Sequence, residues 1–184
     1  MPYNLQVERK AVESSAQKGV SEAYLEKYLR HYFPTCQIVE DCLPIPNFKY
    51  HYSTDFSIVA PEGVAIDLEI DEPYEGKSKK PHHCWDNDRD YKRNRFFVER
   101  GWIVLRISEY QVVHQPKSIC ALIGKVLAKT TGNQDYRSGF KGIERLKEDS
   151  LWSENDAKKM AKRKYRENYL EKAGIYRARR NRSR

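Results

Sequence analysis

The chain has no run of 18 or more apolar residues, which excludes a hydrophobic helix long enough to span a bilayer. Its opening stretch, Met1 to Lys18, lacks an apolar segment behind a positive flank, so no secretory signal is expected and a cytoplasmic location is. Cysteine is scarce: Cys36, Cys42, Cys84 and Cys120 are scattered over 184 residues. That excludes the disulfide framework of a small secreted domain, and reduced thiols are expected. Hydrophobic residues amount to only 39% and charged residues reach 33%, which leaves material for one core and excludes a solenoid or a multidomain machine. Residues 1–140 also lack any charge excess, with 19 Lys+Arg against 19 Asp+Glu. The formal charge of +8 lies wholly in residues 141–184, where 15 basic side chains face 7 acidic ones.

What is present reads as a polar lead-in over residues 1–20, an α/β body over 21–130 and a linker with a basic helical extension over 131–184. Ala23, Tyr24, Leu25, Tyr28 and Leu29 recur at helical spacing from Ser21 to Tyr32, and Pro34 stops the helix. Strands are expected over Gln37–Leu43, Tyr52–Val59 and Val64–Ile70, the last two joined by the Pro61-Glu62-Gly63 turn. A long polar loop covers Asp71–Asn87. A helix follows from Asp88 to Arg100, ended by Gly101, then a strand over Trp102–Ile107 and a helix from Pro116 to Lys129. Helix, three strands, helix, strand, helix fits a mixed sheet flanked by helices. Thr130–Gly142 reads as linker. Ser153 to Asp156 opens a charged helix running to Lys172.

The stretch Ile66-Asp67-Leu68-Glu69-Ile70-Asp71 is the most informative. Alternation puts Asp67, Glu69 and Asp71 on one face and the three apolar residues on the other. Three carboxylates on one face are either wet, on a solvent-facing edge strand, or gathered around a cation or a basic side chain. The preceding strand bears on the choice. Asp55 lies as far before Glu62 as Glu69 lies after it, so a hairpin centred on that turn sets Asp55 beside Glu69. Carboxylates converging from two paired strands suit Mg²⁺ or Mn²⁺, hard cations that keep waters in open positions.

Asp55, Glu69-Ile70-Asp71, Arg89-Asp90-Tyr91-Lys92-Arg93 and the segment Arg100-Gly101-Trp102 to Arg106 together resemble the PD-(D/E)XK nuclease superfamily, in its branch of small very-short-patch-repair-like endonucleases. Glu22-Ala23-Tyr24-Leu25 with Leu29-Arg30 is similar to that branch's first helix, and the likeness covers residues 20–128. The resemblance implies a restriction-endonuclease-like fold, Mg²⁺ or Mn²⁺ as cofactor, DNA as substrate and metal-assisted phosphodiester hydrolysis in repair, restriction, mobile-element or phage-defence systems. It makes Asp55 and Glu69 the metal ligands and Asp71 a catalytic-site residue, with Glu22 approaching the metal through water. Asp71 stands where much of the superfamily has lysine, and Glu72-Pro73 replace the glycine typical after the acidic pair. The role of that lysine is left unassigned, with Lys92 as a candidate.

Other residues carry open alternatives. Glu22 is equally a first-turn acid stabilising its helix. His82, His83 and Cys84 with Cys36 and Cys42 form no standard zinc spacing, and His82 could serve as an acid or base. Asp90 and Arg93, three apart on one helix, suit an ion pair. Arg93 is also a candidate to balance the carboxylates, and Arg106 to contact phosphate or pair with an acid. Lys77, Lys79 and Lys80 in the loop could follow a phosphate backbone. Lys158, Lys159, Lys162, Arg163, Lys164 and Arg166, interleaved with Tyr165 and Tyr169, suit phosphate contact and stacking. The expected partner is DNA, with a partner protein or a second copy of the chain as further candidates. The alternative reading is a non-catalytic nucleic-acid-binding or scaffold subunit.

Overall fold

The computed structural model describes residues 8–9, 20–43 and 52–175. Helix α1 (Val20–Tyr32) aims Leu25, Leu29 and the following Phe33 into the core, all nearly inaccessible. Their spacing of four keeps them on one side of the helix. Ser21 does not cap the helix from outside: it is buried in the first turn and its hydroxyl donates to Glu109 Oε1 at 2.9 Å.

Four full strands follow in the order β2 (Gln37–Leu43), β3 (Thr54–Val59), β4 (Ala65–Asp71) and β5 (Ile103–Ser108), and a two-residue strand β1 (Glu8–Arg9) extends the β2 edge. That short strand falls in the stretch read as a polar lead-in. β2, β3 and β4 are antiparallel, whereas β4 and β5 run parallel. A parallel partner requires a crossover, supplied by the 72–87 loop and helix α2 (Asp88–Val98). The turn after β3 forms as expected. Gly63 takes φ +86°, its N–H donates to the Ala60 carbonyl, and the Glu62 carboxylate accepts from Tyr136 and Asn133.

The sheet is covered on both faces. Phe56, Ile58, Ile66, Leu68 and Ile70 pack against α1 and against Ile119, Cys120, Ile123 and Leu127 of α4 (Pro116–Thr131). The other face meets α2, where Phe96, Phe97 and Trp102 pack on Val39 and Ala65. β4 is therefore a central, buried strand and not a wet edge.

Several elements depart from the sequence reading. α3 (Glu109–His114) occupies a stretch to which the sequence assigned no element, held by a capping box between Ser108 and Gln111. The expected linker contains a 3₁₀ segment, Gln134–Phe140, that packs on α4. There Gly124 comes so close that a Cβ would lie 2.3 Å from the Tyr136 carbonyl oxygen. The charged helix is two, α5 (Glu154–Lys162) and α6 (Tyr165–Lys172), broken where Lys164 takes φ +53°. The helix opens at Ser153 as expected, with a capping box between Ser153 and Asp156.

These last helices pack on the body. Trp152 and Ala157 bury Cys84, and Tyr169 and Leu170 pack on Val113. Among the described residues no helix is long and apolar enough to cross a membrane.

Candidate active site

The hairpin register sets the site. Val59 pairs with Ala65, Ile58 with Ile66 and Phe56 with Leu68, so the strands bring Asp55 next to Glu69. Each side chain then bonds the other strand's backbone. The Asp55 N–H donates to Glu69 Oε1 at 3.1 Å, and the Ile70 N–H donates to Asp55 Oδ2 at 2.7 Å. These bonds engage one oxygen of each carboxylate, so the lone pairs left for a cation are those of Asp55 Oδ1 and Glu69 Oε2.

Arg93, projecting from α2, supplies the positive charge on this face. It makes a bidentate pair with Asp67 at 2.7 and 3.0 Å and also donates to Glu69 Oε1 at 2.6 Å and the Ser53 carbonyl at 2.7 Å. Three carboxyl groups, Asp55, Asp67 and Glu69, thus share one guanidinium in a desolvated place. Their titration registers the deficit. Burial, followed by the charge of Glu72, pushes Asp55 up to about 6 against the opposing Ile70 N–H bond. Burial, with Asp55 and Asp67 beside it, pushes Glu69 well above the usual carboxylate range.

Asp71, one alternation further along β4, belongs to a second cluster. Both its oxygens accept from Arg106, at 3.0 Å from Nε and 2.5 Å from Nη2. Burial raises its pKa in spite of that pair. Arg106 also lies 3.0 Å from Asp90 Oδ2, which in turn is 3.0 Å from His83 Nδ1. Of the two alternatives for Arg106, pairing with an acid is the one observed. Asp90 and Arg93 do not pair with each other: although three apart on α2, they point into different clusters. Burial works to lower His83, yet its bonds to Asp90 and Glu72 and the charge of Asp71 bring it up to about 10.

The 72–83 loop closes on itself through the Tyr74–Pro81 bridge and the His82 N–H to Pro73 carbonyl bond. Its two ends therefore meet, with Glu72 Oε2 3.4 Å from His82 Nδ1 and 3.5 Å from His83 Nε2. Burial opposes ionisation of Glu72, but hydrogen bonds to both imidazoles and the Arg166 charge hold its pKa far below the usual range. The zinc grouping with cysteine does not assemble among the described residues. Cys84 packs on Trp152, Cys36 lies near Tyr136 and Glu62, and the Cys42 side chain lies outside the described residues.

The expected nucleic-acid residues divide. Lys77, Lys80, Lys158, Lys159, Lys162, Arg163 and Lys164 are exposed. Lys79 is tied to Glu167. Arg166 is a correction: its guanidinium is buried, bidentate to Glu109 at 2.5 and 2.7 Å and bonded to the Tyr74 carbonyl, so it has no free face for phosphate. Tyr169 is also buried, donating to Glu109. Glu22 stands in the first turn of α1, the helix on the sheet's apolar face, and Lys92 is exposed on α2. Sequence reasoning missed Glu109, which is fully buried between Ser21, Arg166 and Tyr169.

Two clefts open beside Asp71. One, of ≈ 700 Å³, is lined by His83, Trp85, Tyr91, Arg106 and Trp152; Trp85 and Tyr91 are 65% and 67% exposed. The other, of ≈ 580 Å³, runs from Asp71 and Ser108 to Lys159, Arg163 and Tyr165. No family model, no curated protein and no solved structure matches this chain.

Proposed function

We propose that this chain is a metal-dependent DNA endonuclease of the PD-(D/E)XK type, in its small very-short-patch-repair-like branch. The observation that carries the reading is the convergence of Asp55 and Glu69 from paired strands. The element order supports it: a helix, three antiparallel strands, a helix and a parallel fourth strand form a mixed sheet flanked by helices, as the resemblance implies.

The donor set fits Mg²⁺ or Mn²⁺. Two carboxyl groups each keep one oxygen free of the bonds described, and burial disfavours their charged forms, a cost that a hard divalent cation would offset. When bound, such an ion lowers the pKa of a water and offsets charge on a phosphoryl oxygen. The chain's own residues do the positioning. Asp55 and Glu69 hold the ion, each fixed by a backbone N–H of the other strand. Arg93 fixes Glu69 and neutralises Asp67, and the Asp71–Arg106 pair keeps a guanidinium beside the site where the superfamily has lysine. The second cleft leads from Asp71 to Lys159 and Arg163, and the exposed rings of Trp85 and Tyr91 suit stacking on bases.

The test is incubation of the purified chain with supercoiled plasmid in Mg²⁺, Mn²⁺ or EDTA, beside Asp55→Ala and Glu69→Gln. Cleavage with either metal, lost in EDTA and in both variants while DNA binding persists, is the expected result. Undiminished cleavage by a clean Asp55→Ala preparation refutes it. DNA binding without cleavage under any metal gives the non-catalytic reading instead.

A further inference from the structure

We propose that Glu72, His82 and His83 bind one transition-metal ion of the zinc class, at a site separate from the Asp55–Glu69 pair. This does not depend on the nuclease reading.

The spacing carries the inference. Among the described residues, these three offer ligand atoms within 4.8 Å of one another. Metal bonds of about 2.0–2.1 Å in a tetrahedral array separate ligand atoms by roughly 3.4 Å. The two imidazole-to-carboxylate distances, 3.4 and 3.5 Å, agree with such edges. The loop that brings the three together is built: β-type bonds between its limbs set Pro73 opposite His82, so Glu72 meets the two histidines where the limbs close, and the His82 carbonyl is held by the Trp152 indole at 2.8 Å. His83 sits at φ +46°, a left-handed conformation that costs a non-glycine residue of order 1 kcal/mol and concentrates at functional sites.

The surroundings suit ligation. His83 Nδ1 lies between Asp90 Oδ2 at 3.0 Å and Arg106 Nη2 at 2.7 Å, outer partners that hold the ring with Nε2 toward Glu72 as the ligand nitrogen. Arg166 lies 3.6 Å from Glu72 Oε1, so Oε2 is the oxygen turned toward both imidazoles. Two nitrogens and one oxygen favour Zn²⁺, Co²⁺ or Ni²⁺ over Mg²⁺. Three protein ligands leave a fourth position for water or a phosphate oxygen.

The experiment is equilibrium dialysis of the chelator-treated full chain against micromolar Zn²⁺ with elemental analysis, paired with thermal melts with and without Zn²⁺. His82 is the first target because its side chain is 40% exposed, so His82→Ala keeps the fold. One equivalent bound by the wild type, at least 10-fold weaker binding in His82→Ala and in Glu72→Gln, and unchanged binding in Asp55→Ala is the expected pattern. Zn²⁺ should raise the wild-type melting temperature by mass action and leave that of His82→Ala unmoved. Unchanged Zn²⁺ affinity in His82→Ala, or loss of the bound equivalent in Asp55→Ala, overturns the proposal. Plasmid cleavage is read separately, so an inactive protein that still binds one Zn²⁺ refutes only the nuclease reading.

Discussion

Replacing Arg93 by methionine tests the charge balance around β4 directly. The guanidinium makes four hydrogen bonds, two to Asp67, one to Glu69 and one to the Ser53 carbonyl, and lies over the Phe97 ring at 4.7 Å. The Asp67 side chain has no exposure and that of Arg93 is 10% exposed, so water cannot replace the missing partner. Breaking a buried pair by removing one member costs about 3–5 kcal/mol. Methionine keeps most of the packing volume, so the loss reads as charge and not as a cavity. Urea unfolding in EDTA measures it, and Asp67→Asn closes a double-mutant cycle. Asp67→Asn should recover part of the stability that Arg93→Met removes, because it eliminates a carboxylate left without a partner. Mg²⁺ should also restore stability to Arg93→Met, since a divalent ion supplies the missing charge. A loss below about 1 kcal/mol, or no recovery in the double variant, would show that the cluster is solvated and that its charge deficit is not real.

Three further outcomes are expected. Gly124→Ala should lower the melting temperature: the helix propensity gain of about 1 kcal/mol is outweighed by a Cβ 2.3 Å from a backbone oxygen, where overpacking costs about 1–3 kcal/mol; an equal or higher melting temperature would show that the 3₁₀ segment is not seated on α4. Glu167 tests pH dependence. Burial opposes its ionisation, but Lys79 and the Tyr74 hydroxyl, at 2.7 Å, hold its pKa below the ordinary value. Its contribution is therefore present above the unfolded carboxyl range and fades as pH falls through the depressed value, so the stability gap between wild type and Glu167→Gln should be wider at about pH 7 than at about pH 3.5, and a gap independent of pH would refute the assignment. Lys159→Glu with Arg163→Glu should weaken DNA binding and flatten its dependence on salt, by roughly 0.9 in the log–log slope for each phosphate the variant no longer neutralises; an unchanged slope would remove these residues from the interface.

The legible parts of this structure are those governed by local chemistry. The Asp55–Glu69 juxtaposition follows from counting outward from Glu62, because a tight turn with glycine at positive φ fixes a register two strands long. Strand β2 has the predicted bounds, and α4 starts at Pro116 as predicted and runs two residues further, to Thr131. What was illegible depends on partners far away in sequence. Glu109 lies 57 residues from Arg166 and 88 from Ser21, and nothing near it marks it as a buried acceptor. The Asp90–Arg93 spacing suited an intrahelical pair, but each side chain found stronger partners on the strands and the loop. Helix α3 did have a local signal, Ser108 followed three residues later by Gln111, but six residues is too short for periodicity to register.

The division of positive charge follows from side-chain shape. The three arginines of the buried network, Arg93, Arg106 and Arg166, are each bidentate to a carboxylate, which a planar fork allows and a lysine point charge does not. Locked in this way, they have little charge left to offer phosphate. The exposed cations are mostly lysine, and their partners are weak: Lys158 with Glu154 and Lys159 with Asp156, both at 3.5 Å. Exposed pairs of this kind are worth about 1 kcal/mol or less, so a phosphate backbone displaces them at little cost. Arg166 has another consequence. It sits in the basic extension yet neutralises Glu109 in the body, so deleting residues 141–184 would strip a fully buried carboxylate of its counter-charge and confound binding with folding. The surface lysines and Arg163, changed one at a time, separate the two.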